Sequence, residues 1–170
     1  MNKNNGNQHY LPSREFAYDY TVAMYFAQLL ESNMRAILKI QDDHCYGRDI
    51  ELDEDELKRF KSINKFINKA ALGALIKKLE KTGTVNHSEA WAILERACPH
   101  RNKLAHSFLA EQNFDAMTKK DEANAIRQLH DKAIDLCQAF FVSGLIRKQA
   151  ETLSKKELER AEKLFEQFEI

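Results

Sequence analysis

One short segment, residues 98–109 with the sequence C-P-H-R-N-K-L-A-H-S-F-L, holds most of the side chains that could do chemistry. His106 can take up and release protons, because imidazole titrates at about pH 6.5, close to neutral pH. Arg101 stays cationic and can bind phosphate oxygens through two parallel hydrogen bonds. These residue types predict proton transfer beside a stabilised negative charge.

Helical spacing decides which of these side chains can act together. Asn102 and His106 are four residues apart, so they share a face on a helix. Arg101 comes five residues before His106, about 140° around an ideal helix. Its long side chain, or a distortion at Pro99, would have to close that gap. A structural alternative is that Arg101 pairs with an acidic neighbour such as Glu95, while His106 caps a helix or fills a gap.

The elements that position this segment are predicted to be long helices. With 5 Gly and 2 Pro in 170 residues, the chain has few of the residues that form tight turns, which argues against β-sandwiches and barrels. Apolar residues recur at three- and four-residue steps. Pro99 is expected to break or kink its helix, because proline lacks an N–H and clashes with the preceding turn. The predicted helices cover about 13–44, 53–81 (N-cap Asp53), 86–98, 99–109, 120–150 and, after a capping-box sequence at Ser154, 154–168.

These helices predict an all-α, antiparallel bundle of four to five helices. A single domain is expected over residues 13–170, after a polar and flexible segment at residues 1–12. The apolar stripes of the helices are expected to form the core. The large side chains expected there include Tyr18, Tyr25, Ile134, Phe141 and Leu145.

Composition excludes several classes of protein. The 26 basic residues balance 26 acidic ones, so the chain is not a cationic nucleic-acid coat and any polyanion contact must be local. Three dispersed cysteines without a C-x-x-C motif favour buried thiols in a reducing compartment over disulfides or a zinc site. No apolar stretch reaches the roughly 18 residues that span a bilayer. We therefore expect a cytoplasmic protein without membrane contact.

The segment resembles the motif of the HEPN superfamily. That motif is an arginine, four to six intervening residues and a histidine, with a polar residue favoured directly after the arginine. Arg101, Asn102 and His106 match it, and the flanking Leu104-Ala105 and Phe108 resemble the familiar R-N-x-L-A-H-x-F form. The run at residues 71–76 is also similar to a segment that precedes the motif in some HEPN-like bacterial proteins. The resemblance implies a four- or five-helix bundle with the motif near one end.

The resemblance also implies an activity. Many HEPN proteins are metal-independent endoribonucleases that form homodimers, so that two motifs face each other across one cleft. By this resemblance His106 would handle protons during attack of the RNA 2′-hydroxyl, Arg101 would stabilise the phosphorane charge, and Asn102 would orient His106 or the substrate. No metal or cofactor is implied. His100, Lys103 and Arg96 are further candidates for RNA contact, although each also fits a solvated helix surface.

A rival interpretation is a non-catalytic dimeric module that binds RNA, nucleotide or a protein partner. HEPN-like RNases in bacteria often serve as toxins or in phage defence, so an antitoxin-like partner is expected with the catalytic interpretation. In toxins neutralised by a nucleotidyltransferase, a tyrosine lies two residues after the motif's histidine. Here that residue is Phe108, which has no hydroxyl to modify. A neutralising partner is therefore expected to act by occlusion.

Overall fold

The computed structural model describes residues 11–46, 53–82 and 88–166. The predicted all-α bundle is confirmed, because these ranges contain helices and no strand. Residues 1–10 of the predicted flexible segment lie outside the described residues. Along the described ranges, no helix combines the length and the hydrophobicity that crossing a membrane requires. The helices are α1 (Arg14–Tyr46), α2 (Glu54–Lys69), α3 (Leu72–Glu80), α4 (Ser88–His106), α5 (Phe108–Glu111) and α6 (Lys119–Glu166).

The two longest helices, α1 and α6, pack against each other in parallel. At their N-terminal ends, the backbone N–H of Ser13 donates to Glu122 Oε1 at 2.6 Å. Further along, Asn33 Nδ2 donates to Ser143 Oγ at 3.0 Å. Because the contacting positions advance together in both helices, α1 and α6 run in the same direction.

Helix α4 lies against both α1 and α6 and runs antiparallel to them. The hydroxyl of Tyr20, early in α1, donates to the carbonyl of Leu104 near the end of α4 at 3.1 Å. Arg101, earlier in α4, reaches Glu31, later in α1. The antiparallel order expected from the sequence therefore applies to α4, while the α1–α6 pair departs from it. The core shared by these helices with α3 and α5 includes Leu30, Met34, Ile37, Leu75, Leu94, Leu104, Phe108, Leu129 and Leu136.

The single helix predicted over residues 53–81 is wrong, because the chain forms two helices there. Ala70 (ψ 141°) and Ala71 (ψ 158°) are extended and separate α2 from α3. The Arg35 guanidinium, reaching across from α1, donates to the carbonyls of Ile67 and Ala70 at this junction. These tertiary hydrogen bonds satisfy carbonyls at the end of α2 that have no intrahelical partner. No local breaker in the sequence marks the junction.

Of the break or kink predicted at Pro99, the break is wrong. Helix α4 continues through Pro99 and ends at His106, where Ser107 leaves the helical conformation with φ −135° and ψ −21°. Pro99 cannot donate to the carbonyl of Glu95, but Pro99 is exposed, so its ring lies on the solvent side of α4. Buried side chains on both sides of the proline hold the helix in place, namely Leu94, Ala97 and Leu104.

The separate last helix predicted from Ser154 is part of α6. The backbone is helical without interruption from Lys119 to Glu166, so the predicted helices 120–150 and 154–168 are one, as far as residue 166. The capping-box sequence at Ser154 does not start a helix, because no glycine or proline between Ala150 and Ser154 ends the preceding one.

Several large apolar side chains predicted to be core are on the surface. The helical periodicity placed them in the same stripes as residues that are buried, such as Leu30 and Leu129. The bundle covers only part of each predicted stripe. The predicted core residues that are exposed are Tyr18, Tyr25, Leu57, Phe66, Ile134, Phe141 and Leu145.

Pro99 is expected to destabilise the helix that it occupies. Replacing it with alanine restores a hydrogen bond and removes a steric clash, so Pro99→Ala should raise the free energy of unfolding by about 1–3 kcal/mol. Urea denaturation followed by circular dichroism measures this change. Glu95→Ala, on an exposed position of the same helix, is the control and should change stability by less than about 0.5 kcal/mol. A loss of stability in Pro99→Ala would contradict the expectation.

Candidate functional site

Arg101 is held against helix α1 by an ion pair. Its Nε and Nη2 atoms lie 3.0 and 2.7 Å from Glu31 Oε2. Both side chains are about four-fifths buried, with 19% of Arg101 and 18% of Glu31 exposed. The alternative prediction, that Arg101 forms an ion pair with an acidic residue, is therefore correct, but its suggested partner Glu95 is wrong. Glu95 is exposed on α4 itself, whereas Glu31 comes from a different helix.

Glu31 also binds a second arginine. Its other carboxylate oxygen, Oε1, accepts from Arg35 Nη2 at 2.5 Å, one helical turn further along α1. Arg35 in turn bonds the α2–α3 junction. We call Arg35, Glu31 and Arg101 the Glu31 triad. The triad contains two cations and one anion, so it carries a net positive charge where α1, α2 and α4 meet.

Asn102 and His106 lie on the solvent side of α4. Both are exposed, and the helix between them is unbroken, so their four-residue spacing places them on one face. Asn102 Oδ1 accepts from Arg101 Nη1 at 3.2 Å, and its Nδ2 lies 3.9 Å from Cys98 Sγ. Among the described residues, no side chain forms a hydrogen bond or an ion pair with the His106 imidazole. His106 is therefore available to an incoming ligand.

The motif is split between two sides of its helix. Helix α4 continues through Pro99, so no break there brings Arg101 toward His106. Arg101 faces α1, and His106 is about 140° further around the helix. Asn102 connects the two sides, since it touches Arg101 and shares its face with His106. The structure therefore brings Arg101 and Asn102 together, but it does not place Arg101 and His106 on one face.

The predicted RNA contacts Arg96 and His100 point toward α6. His100 Nε2 lies 2.9 Å from Asp135 Oδ2, and Arg96 Nε lies 2.9 Å from Asp135 Oδ1. Arg96 Nη2 also donates to Gln138 Oε1 at 3.0 Å. Arg96 keeps 52% of its side chain exposed, compared with 29% for His100. Arg96 is thus the more accessible of the two cationic candidates.

The predicted contact Lys103 belongs to a small polar cluster beside His106. Its amine lies 2.8 Å from Glu111 Oε2. Lys132 of α6 is buried nearby, with its amine 5.7 Å from the centre of the Phe108 ring and 3.4 Å from the carbonyl of Gln128. The two lysines and one glutamate give this cluster a net positive charge.

Protonation in the site follows from these contacts. The hydrogen bonds from Lys103 and Ser107 lower the pKa of Glu111, so it is an anion at neutral pH. Burial raises the pKa of the Cys98 thiol, against the opposing effect of the Arg101 and Lys77 charges. Cys98 is therefore a neutral thiol near pH 7 and a poor nucleophile. Burial and the Lys103 charge lower the pKa of Lys132.

Phe108 has a structural role that its sequence position does not reveal. It is fully buried, and its ring stacks against Phe16 at 6.3 Å and Tyr20 at 6.2 Å between centroids. The Lys132 amine lies over the same ring. The residue two positions after the motif's histidine is thus part of the core, at the start of α5.

Sequence reasoning missed the partners that come from other helices. Glu31 and Arg35 have an i, i+4 spacing that suggests an ion pair within α1, but nothing local links them to Arg101. Asp135 and Lys132 likewise lie on α6, far from the motif in sequence. Within residues 11–46, 53–82 and 88–166, no three His, Cys, Asp or Glu side chains form a group that could hold a metal ion.

The Glu31–Arg101 pair should contribute measurably to stability. Glu31→Ala leaves two guanidinium groups without their carboxylate, so we expect a loss of about 2–3 kcal/mol, less than for a fully buried pair. A double-mutant cycle with Arg101→Ala should give a coupling energy of about 1 kcal/mol or more. The matched cycle of Glu95→Ala with Arg101→Ala should give less than about 0.5 kcal/mol. Equal coupling in the two cycles would refute the assignment.

Lys132 should make stability depend on pH. Its pKa is lowered in the folded protein, so between that value and the ordinary lysine value of 10.5 the unfolded chain binds more protons and stability rises with pH. Lys132→Met keeps the apolar stem and removes the charge. It should be more stable than wild type at pH 7, with the difference shrinking toward pH 10.

Thermal denaturation at several pH values measures this difference. The exposed Lys148→Met, also on α6, is the control and should not show the trend. A difference between Lys132→Met and wild type that stays constant with pH would contradict the expectation.

Comparison with known proteins gives no relative for this chain. No protein-family model, no curated protein and no solved structure matches it. The resemblance to HEPN proteins therefore rests on the R-N-K-L-A-H segment together with the helical bundle that carries it.

Proposed function

We propose that this protein is a metal-independent endoribonuclease of the HEPN type, which cleaves single-stranded RNA in the cytoplasm through attack by the 2′-hydroxyl. The observation that carries the proposal is the state of His106. Its imidazole is exposed and, among the described residues, makes no hydrogen bond or ion pair, and it lies one turn from Asn102, whose Oδ1 accepts from Arg101. A histidine that the fold does not engage is able to donate or accept the proton that cleavage at a phosphate requires.

Each motif residue has a role in this reaction. His106 removes the proton of the 2′-hydroxyl or protonates the leaving 5′-oxygen. Arg101 stabilises the negative charge of the phosphorane. Its Nη1 atom is the one that would bind the phosphate, because Nη1 bonds only the neutral amide of Asn102. When a phosphate oxygen replaces the Asn102 amide oxygen as the acceptor of Nη1, the ion pair between Arg101 and Glu31 stays intact. Asn102 is then free to orient the substrate or His106.

A second copy of the chain would complete the acid–base chemistry. One motif offers a single exposed histidine, whereas two opposed motifs would offer an acid and a base. We propose a homodimeric arrangement in which the exposed faces of α4 meet around His106. Lys103 (41% exposed) and Arg96 (52% exposed) are then the cations best placed to follow the RNA backbone beyond the scissile phosphate.

The rival function, a non-catalytic module that binds RNA, nucleotide or protein, is favoured by a specific observation. All of Arg101's guanidinium nitrogens have protein partners, two contacts to Glu31 and one to Asn102. A purely structural arginine would look the same. If the chain is a toxin or phage-defence effector, its neutralising partner would cover His106 rather than modify residue 108, whose ring is buried.

Cleavage in the presence of EDTA tests the proposal. Wild-type protein should cut single-stranded RNA in excess EDTA, leave 2′,3′-cyclic phosphate ends and spare DNA, which lacks the hydroxyl. The rate should follow a bell-shaped pH dependence, because acid and base forms of histidine are both needed. Duplex RNA should be cut poorly, since in-line attack needs a flexible backbone with unstacked bases.

His106→Ala should lower the cleavage rate by about 10²–10⁴-fold, the usual contribution of general acid–base catalysis. The fold should be unaffected, because His106 is exposed. His130→Ala removes a histidine that is 64% exposed on α6 and serves as the matched control, with little loss expected. Wild-type protein that binds RNA but leaves it intact from pH 5 to 9 would refute the enzyme and favour the binding module.

A further inference from the structure

The surface of the α1–α6 pair carries a group of large exposed apolar side chains. Tyr18 and Tyr25 of α1 are 69% and 57% exposed, and Ile134, Phe141 and Leu145 of α6 are 56%, 64% and 70% exposed. Single exposed hydrophobic residues are common on soluble proteins, but contiguous apolar patches mark interaction sites. We call these five residues the α1–α6 face.

The face is continuous across the two helices. The Tyr25 ring lies 5.9 Å from Phe26, Phe26 lies 6.0 Å from Phe140, and Phe140 lies 5.5 Å from Phe141, all between ring centroids. An unbroken row of aromatic rings therefore links the exposed stripe of α1 to that of α6.

The face points away from the candidate site. Tyr25 lies about 120° around α1 from Glu31, which binds Arg101, and Phe141 lies about 120° around α6 from Asp135, which binds Arg96 and His100. Helix α4 is bonded to the Glu31 and Asp135 sides, and its Arg96 also reaches Gln138 at the edge of the α6 stripe. A partner on the α1–α6 face would therefore leave His106 accessible.

The face is almost free of charge along both helices. Between Glu15 and Glu31 the one charged residue is Asp19, which is buried on the inner side, 3.3 Å from the imidazole of His130. Between Asp135 and Arg147 there is none. In a two-fold contact the same patch meets itself, so any charge near its centre faces a like charge. An uncharged aromatic face can meet its own copy without that repulsion.

Gly144 is a second, independent observation. It lies inside the charge-free stretch of α6, where glycine costs about 1 kcal/mol relative to alanine. A Cβ atom at this position would meet nothing within 4 Å, so nothing along the described residues requires glycine. By contrast, a Cβ atom on Gly73 would lie 3.1 Å from Cys98 Sγ, which explains that glycine by the packing of α3 on α4. The open space at Gly144 allows a helix from outside the chain to approach closely.

The size of the face suits a dimer. The exposed residues extend from Tyr18 to Tyr25 on α1 and from Ile134 to Leu145 on α6, about 10 and 16 Å of helix. The two axes lie about 8–10 Å apart, and neutral side chains such as Thr21, Gln28 and Gln138 border the stripes. Stable complexes bury roughly 800 Å² per partner, so the contact must cover these bordering side chains as well.

We propose that the α1–α6 face binds the same face of a second copy of this chain, forming a homodimer through a four-helix contact. This contact does not depend on the proposed ribonuclease function. It leaves α4 on the outside of the dimer, so the pairing of two motifs proposed above is a separate contact, made through a surface that carries charged residues.

The mass in solution tests this proposal. Light scattering of the purified protein at micromolar concentration should give at least the mass of two chains in 0.1 M and in 1 M NaCl, because an apolar contact is not screened by salt. Phe141→Glu would bury a carboxylate in an apolar contact, a desolvation cost that salt does not remove, and should give single chains in 1 M NaCl. Leu57→Glu changes an apolar residue, 39% exposed on α2, and should leave the mass unchanged.

Two results would overturn the proposal. One is a wild-type protein that is monomeric in 1 M NaCl, and the other is a Phe141→Glu protein with the mass of the wild type. Gly144→Leu is a second variant, which should dissociate the dimer while keeping the helical circular dichroism signal. Neither Phe141 nor Gly144 belongs to the motif, so RNA cleavage by His106 is tested separately.

Discussion

The carboxylate of Glu31 lies between two guanidinium groups, one on its own helix and one on α4. Oε1 binds Arg35, and Oε2 binds Arg101. Because Arg35 also bonds the carbonyls at the end of α2, one carboxylate joins α1, the α2–α3 junction and α4. This ion pair is about four-fifths buried, where attraction between charges is stronger than in water. It fixes the rotation of α4 about its own axis, and that rotation decides which motif side chains reach solvent.

The fixed rotation divides the motif into an inner and an outer part. Arg101 turns inward to α1, while Asn102 and His106 turn outward. On the side toward α6, His100 and Arg96 meet Asp135, and Lys103 meets Glu111. Most cations of the segment thus stabilise the bundle, whereas His106 is left without a partner among the described side chains. A group that the fold does not use is the natural candidate for chemistry.

Two opposite surfaces of the bundle differ in character. The exposed side of α4 has charged and polar side chains around His106, which suits a polyanion such as RNA. The α1–α6 face has aromatic and aliphatic side chains around Phe141, which suits burial against another apolar surface. Because α1 and α6 run in parallel and α4 lies on their other side, an assembly through one surface leaves the other free.

The sequence by itself determined most of the helices and the spacing of Arg101, Asn102 and His106 along one of them. Helix formation is local: apolar spacing, the scarcity of breakers and the capping box at Asp53 and Glu56 act within a few residues, and that cap is present as predicted. The prediction of helices from the sequence was correct where only local signals matter. It failed at Ala70–Ala71 and at Pro99, because distant side chains end one helix and hold the other together.

Only the tertiary structure decided the partners of the motif and the surface of the bundle. Arg101 could have met Glu95 within its own helix, but packing brought Glu31 to it from 70 residues away. Periodicity likewise marks Phe141 and Tyr25 as apolar, yet it cannot tell a stripe covered by this chain from one left exposed. Both outcomes depend on how whole helices are arranged in space, and no short stretch of sequence encodes that arrangement.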